Sequence, residues 1–195
     1  DSSSRQLARF VDWVGAQHEG MFPAGSMVFR QDRFLRGGDH IPFNDAGIAA
    51  VRFTVSAEHY DRQHVNVSNR DSLPYGDVSR YVNGDYVGAV AKLNLATVIN
   101  LANAPSPPTD VRIVTAQLDN KTTLRWTASP EPDVIGYEVV FRSTLDAQWN
   151  PEPFDAGRAT EYVSKLSKDD HFFGVRAYDR DGYRSPVVFA TAARE

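Results

Sequence analysis

The chain has 195 residues, 42% of them hydrophobic and 24% charged, with a formal net charge of -4 and no cysteine. That is the balance of a water-exposed globular fold with room for one large or two ordinary cores. The 21 basic residues are dispersed, which argues against a nucleic-acid partner, and no run of eighteen apolar residues is present to span a membrane. Without thiolates, any metal has to be held by His, Asp or Glu, and the five histidines stand at 18, 40, 59, 64 and 171.

The opening "DSSSRQLARF" lacks the apolar stretch of a signal peptide. Ser3 or Ser4 can cap a helix that carries Leu7, Phe10, Val11 and Val14 on one face at spacings of three and four. Gly20, Pro23 and Gly25 end it. "SMVFR" reads as a short strand. "IPFNDAG" predicts a helical turn started by Pro42 and closed by Gly47. "IAAVRFTV" predicts an apolar strand of the kind buried in a parallel sheet. A long polar loop follows, "SAEHYDRQHVNVSNRDSLPYGD", of a length that often carries function. Asp85 can then cap a long helix through Val87, Val90, Ala91, Asn94, Val98 and Leu101. Strand, turn, strand, loop and helix make half of an α/β layered domain, which needs a complement to cover it.

Pro105, Pro107 and Pro108 in "NAPSPPTD" interrupt any helix and favour an extended linker, so the chain divides into residues 1–103 and 104–195. Beyond the linker the pattern is all-β. "VRIVTAQL", "KTTLRWTA", "VIGYEVVFRS", "TEYVSKL", "HFFGVRAYD" and "RSPVVFATA" are rich in Val, Phe, Tyr and Thr, and "LDNKT" and "DRDGY" supply turns. Such spacing predicts an immunoglobulin-like sandwich. The Pro108-to-Val111 register, Trp126, "GYEVVFR" and "FGVRAYDRDGYRS" together resemble a fibronectin type III module over about residues 107–192. That resemblance says little about function, because such modules serve as spacers, stabilisers and binding surfaces.

"RFLRGGDHIPFNDAGIAAVRFT" places an Asp-His pair, Asp39 and His40, at the mouth of the apolar run. With "SRQLARF", "EHYDRQHVNV" and "YGDVSRYVNGDYVGAVAKLN", it resembles the C-terminal half of the catalytic domain of zinc-dependent exopeptidases. This is the group of bacterial leucyl aminopeptidase, glutamate carboxypeptidase II and glutaminyl cyclase. The resemblance covers residues 4–103. It implies two zinc ions, a peptide substrate and export to the periplasm or outside the cell. It also implies that most ligands and the general base precede the residues present here. On that reading the chain is a C-terminal portion, inactive by itself, whose partner is the missing N-terminal half of the catalytic domain or another chain supplying it.

Within the resemblance, Asp39 and His40 support the active site rather than ligating metal. The alternative for Asp39 is a carboxylate that accepts backbone N–H groups of the following turn. The last metal-binding histidine falls in "EHYDRQHVNV", where relatives commonly show Tyr-x-His-x-His followed by x-Asp. Here those positions are Arg62, His64 and Asn66. Arginine offers no lone pair, so His64 is the candidate ligand, with His59 behind it. Arg62 and Asn66 also leave open a non-catalytic relative, or an extracellular binding protein in which the sandwich does the work. Arg30, Arg33, Arg36 and Arg52 could hold a substrate carboxylate, or pair structurally with Asp32, Asp39 or Asp45. Tyr60 could donate to an oxyanion or simply pack, while His18 and His171 carry no functional expectation.

Overall fold

The computed structural model describes residues 1–18, 26–32, 34–116 and 119–193. The expected helix stop at Gly20, Pro23 and Gly25, and the candidate Arg33, lie outside these residues.

Helix α1 runs Ser3–Ala16 and is capped by Ser2, whose Oγ accepts the Arg5 N–H, one residue earlier than expected. It buries Phe10, Val11 and Val14, but also Gln6 and Arg9 on its polar side. Helix α2, His40–Asp45, is the anticipated short turn, and Gly47 closes it at φ +78°. Helix α3, Gly84–Asn103, is capped by Asn83, which accepts the Tyr86 N–H, with Asp85 inside the first turn. Asn83 therefore takes the role expected of Asp85.

The layered sheet expected in residues 1–103 is not formed by the described residues. Neither "SMVFR" nor "IAAVRFTV" makes a ladder among the described residues; residues 48–55 join no strand, and Ile48, Phe53 and Val55 are exposed. A strand is defined by its neighbours, and an apolar extended segment without adjacent strands leaves its N–H and C=O groups open. The polar loop instead contains a hairpin of β1 (Ser68–Arg70) and β2 (Leu73–Tyr75). Its turn residues Asp71 and Ser72 both take positive φ, 50° and 65°, the backbone that a two-residue mirror-image turn demands.

After α3, eight strands form among the described residues: β3 (Thr109–Val114), β4 (Thr122–Thr127), β5 (Val134–Ser143), β6 (Phe154–Gly157), β7 (Glu161–Ser164), β8 (His171–Asp179), β9 (Val188–Phe189) and β10 (Thr191–Ala193). They form two facing sheets, ordered β10-β3-β4-β7 and β6-β5-β8-β9. This is the immunoglobulin-like sandwich that the spacing of the strands predicts. The segment read as one last strand is broken at Ala190, so that β9 pairs antiparallel with β8 while β10 crosses to pair parallel with β3. Leu124, Val139, Phe173, Val175 and Ala177 are wholly buried between the sheets, and Trp126 meets Tyr137 edge-on at 5.6 Å. The Tyr137 hydroxyl accepts the Ser129 N–H, so the burial of this ring leaves its oxygen partnered.

Strands β5 and β8 are buried along both faces, not one. The outward residues Glu138, Arg142 and Arg176 are covered because α1 lies over this sheet. The linker is anchored as well. Pro105 and Pro108 are buried, and Ser106 donates both its N–H and its hydroxyl to Glu131 Oε1.

Candidate functional site

The turn that begins at His40 places the Asp-His pair on the rim of a cavity of about 400 Å3, lined by Gly38, Asp39, His40, Val51, Arg52 and Phe53. Asp39 holds the cap position of α2 but its side chain makes no capping hydrogen bond, and the residue is exposed. The carboxylate is thus not engaged with the N–H groups of the turn, the alternative open in the sequence.

His40 is buried. Its Nε2 lies 2.8 Å from the carbonyl oxygen of Gln31, which can only accept, so Nε2 carries the proton. Nδ1, on the other side of the ring, is buried without a hydrogen-bond partner among the described residues. Gly38 sits directly against the ring: a Cβ there would come 2.9 Å from Nδ1 and 3.2 Å from Arg52 Cδ. The second glycine of "GGDH" is therefore a steric requirement of the imidazole beside it.

Asp32, nearly buried, approaches His40 Nε2 at 3.9 Å and pairs with Arg52 Nη1 at 2.7 Å. The same Arg52 nitrogen donates to the Gly37 carbonyl at 2.7 Å. Arg52 is accordingly bound into the wall of the cavity. Arg30 lies over Phe34 and Arg36 over Tyr60, with guanidinium carbons 3.9 and 4.8 Å from the ring centroids. These two cations are stacked on aromatic faces at the surface.

His64 takes a left-handed backbone, φ +53°, and is exposed, as is His59. Arg62 lies over the Tyr81 ring at 4.2 Å. Among the described residues there is no group of three or more His, Cys, Asp or Glu side chains that could hold a metal ion. A catalytic zinc needs about three protein ligands and an open position, so the residues described here do not fit a complete zinc site. His171, on β8, places Nδ1 3.2 Å from the Ser167 carbonyl and rests against Phe141 and Phe173.

One part of this region escapes sequence reasoning. Ser4, on α1, donates to Asn44 Oδ1 at 2.5 Å and accepts the Ala50 N–H at 3.3 Å, joining α1 to the stretch between the two parts of the cavity lining. Only the "SSS" run hinted at hydroxyl contacts there, and it reads equally well as capping chemistry.

No protein-family model matches the chain. Along nearly its whole length it is similar to proteins named "Probable zinc metalloprotease". One from Pyrenophora tritici-repentis is 42% identical over 190 residues, covering 97% of this chain and 39% of that protein. One from Leptosphaeria maculans is 43% identical over 190 residues, with coverages of 97% and 43%. One from Pyricularia oryzae is 40% identical over 193 residues, with coverages of 96% and 38%. The chain thus spans about two fifths of the length of these curated relatives. Among solved structures, an Fn3-like protein from Clostridium thermocellum is 19% identical with a TM-score of 0.37, covering 48% of this chain and 96% of that one. Titin module A71 from human cardiac muscle is 22% identical with a TM-score of 0.35, covering 45% of this chain and 89% of that one. No described helix is long and apolar enough to cross a membrane.

Proposed function

We propose that this chain works as the C-terminal portion of an exported zinc-dependent exopeptidase, an aminopeptidase acting on the N-terminal residues of peptides. The observation that carries this reading is the 42% identity over 97% of the chain to a protein named as a zinc metalloprotease. The cavity at Asp39 and His40 supports it. The exposed Asp39 carboxylate, beside a buried imidazole and a fixed Arg52 on the rim of the cavity, can accept an N–H group of a substrate and orient it. In this reading two zinc ions, held mostly by residues outside this chain, would supply polarisation of the scissile carbonyl and an activated water. On the resemblance, this chain's ligand would be His64, with His59 behind it, and the other ligands and the general base would come from the remaining three fifths of such a protein.

Arg62, stacked on Tyr81 where the resemblance places a histidine, favours a second reading: a non-catalytic relative that keeps the fold for binding. A chimera separates the two. The aligned portion of the Pyrenophora relative is replaced by this chain, and zinc content and aminoacyl-anilide hydrolysis are measured beside the parent. Zinc-dependent turnover lost in His64→Ala supports the peptidase. A folded chimera that turns over only after Arg62→His identifies the degenerate relative.

A further inference from the structure

The sandwich and the candidate site both grip one helix, on opposite sides. Successive residues of an α-helix are about 100° apart, so Gln6, Arg9 and Trp13 lie roughly 140–200° around α1 from Ser4. On the sandwich side, Trp149 Nε1 donates to Gln6 Oε1 at 3.0 Å and Arg9 Nε donates to the Ala147 carbonyl at 2.8 Å. The Asp1 carboxylate, whose side chain is 5% exposed, receives Arg9 at 2.6 Å and Arg142 at 3.0 Å. Trp13 rests against Arg176, and Arg176 and Arg184 both pair with Glu138 on β5. On the far side, Ser4 binds Asn44 and Ala50, and Arg5 donates to the Phe29 carbonyl at 3.1 Å. Asn44 is in the turn that starts at His40, and Ala50 directly precedes the cavity residues Val51, Arg52 and Phe53.

We infer that the sandwich is a positioning element for the Asp39–His40 site, acting through α1, with Ser4 the positioning residue that delivers the contact. The mechanical link stands on the geometry above; its bearing on catalysis rests on the peptidase reading. Three separated attachments converge on a rigid fourteen-residue helix. A helix held at Gln6, Arg9 and Trp13 cannot roll or slide without stretching these bonds, so the hydroxyl of Ser4 is presented at a fixed point. A loop fixed in this way loses less freedom on binding substrate than one that must order itself.

The test is amide hydrogen exchange in the 195-residue chain. Trp149→Phe and Arg142→Met, both on the sandwich, are expected to speed exchange at Asn44–Ala50 by about tenfold as well as along α1. Leu145→Ala, at an exposed neighbour, is expected to leave both unchanged. Ser4→Ala is expected to open 44–50 while β5 and β8 keep their protection, and Ser4→Thr, which retains the hydroxyl, restores it. Trp149→Phe removes the indole N–H donor while keeping an aromatic ring in place, and carries the test should Arg142→Met fail to fold. Faster exchange confined to the sandwich and α1, with 44–50 at wild-type rates, overturns the inference. In the chimera, Ser4→Ala is expected to lower kcat with rescue by Ser4→Thr. Coupled exchange in a chimera with no turnover overturns the peptidase reading and leaves the link standing.

Discussion

The indole N–H of Trp149 donates to the side-chain carbonyl of Gln6 at 3.0 Å, across 143 positions of sequence. The ring also lies beside both Arg9 and Arg142, whose guanidinium carbons are 5.6 and 5.3 Å from its centroid. One side chain thus links the sandwich to α1 by a hydrogen bond and screens two buried cations with its face.

Those cations share a counter-ion. Burial pulls the Arg9 guanidinium down to about 10, with Arg142 and Arg5 adding to the effect, so at neutral pH it stays charged and depends on Asp1. Asp1→Asn is expected to cost about 3–5 kcal/mol in urea denaturation, the usual penalty for stranding buried charge. Arg5→Ala, at a side chain 44% exposed, should cost less than about 1 kcal/mol.

The proline linker is predicted to resist protease. Pro105 and Pro108 are buried and Ser106 is tied to Glu131. Limited digestion with a broad-specificity protease such as subtilisin is expected to cut first in the exposed stretches around Arg62, Arg70 or Arg80, giving fragments in which residues 104–108 remain intact.

The same latch sets a pH dependence. The Ser106 hydroxyl holds the Glu131 carboxyl below its ordinary range. A depressed carboxylate contributes stability that is present above its unfolded-state value and is lost as pH falls through the folded one. The stability difference between the native chain and Glu131→Gln should therefore be constant near about pH 6 and shrink towards about pH 3, read by urea titration at each pH.

Gly174 is held by its neighbours rather than by its backbone angles. A Cβ there would collide with the Val187 side chain and lie 2.9 Å from the Val188 carbonyl on the adjacent strand. Gly174→Ala should destabilise by about 1–3 kcal/mol through strain at the β8–β9 pairing, measured by thermal unfolding.

Helix α3 leaves Val87, Leu95, Val98 and Ile99 about half exposed or more. Apolar surface of this kind promotes association. The chain is expected to self-associate in sedimentation velocity, and Leu95→Lys with Val98→Glu should return it towards monomer.

Enrichment in Val, Phe and Tyr between turn signals made β5 and β8 legible to the residue: 134–143 and 171–179 are the segments the composition marks out. β6 was missed because "FDAG" is four residues with an aspartate and a glycine, too few for a period of two to register. Residues 48–55 fail differently. Val, Phe and Thr favour a strand, but pairing is decided by adjacent backbone, and none is present among the described residues. The helix caps moved by one or two positions because Ser2, Ser3 and Ser4, or Asn83 and Asp85, are chemically equivalent caps. In the site, the pairing of Arg52 with Asp32 is one of the alternatives the sequence leaves open, whereas the orientation of His40 is not legible there. The α1 interface was hidden because Gln6 and Arg9 fall on the face that periodicity assigns to water.

The crossing of β10 to lie parallel with β3 decides how the sandwich bears load. β3 enters from α3 through the linker, while β10 runs the same way, with Thr115 donating both its N–H and its hydroxyl to the Ala193 carbonyl. Tension between the linker and the far end of β10 pulls the two strands past each other along their length. Their hydrogen bonds are then strained all at once, in shear, rather than opened one after another as in an unzipping hairpin. Under a pull applied at that end, the sandwich would lengthen only after the whole β3–β10 pair had yielded.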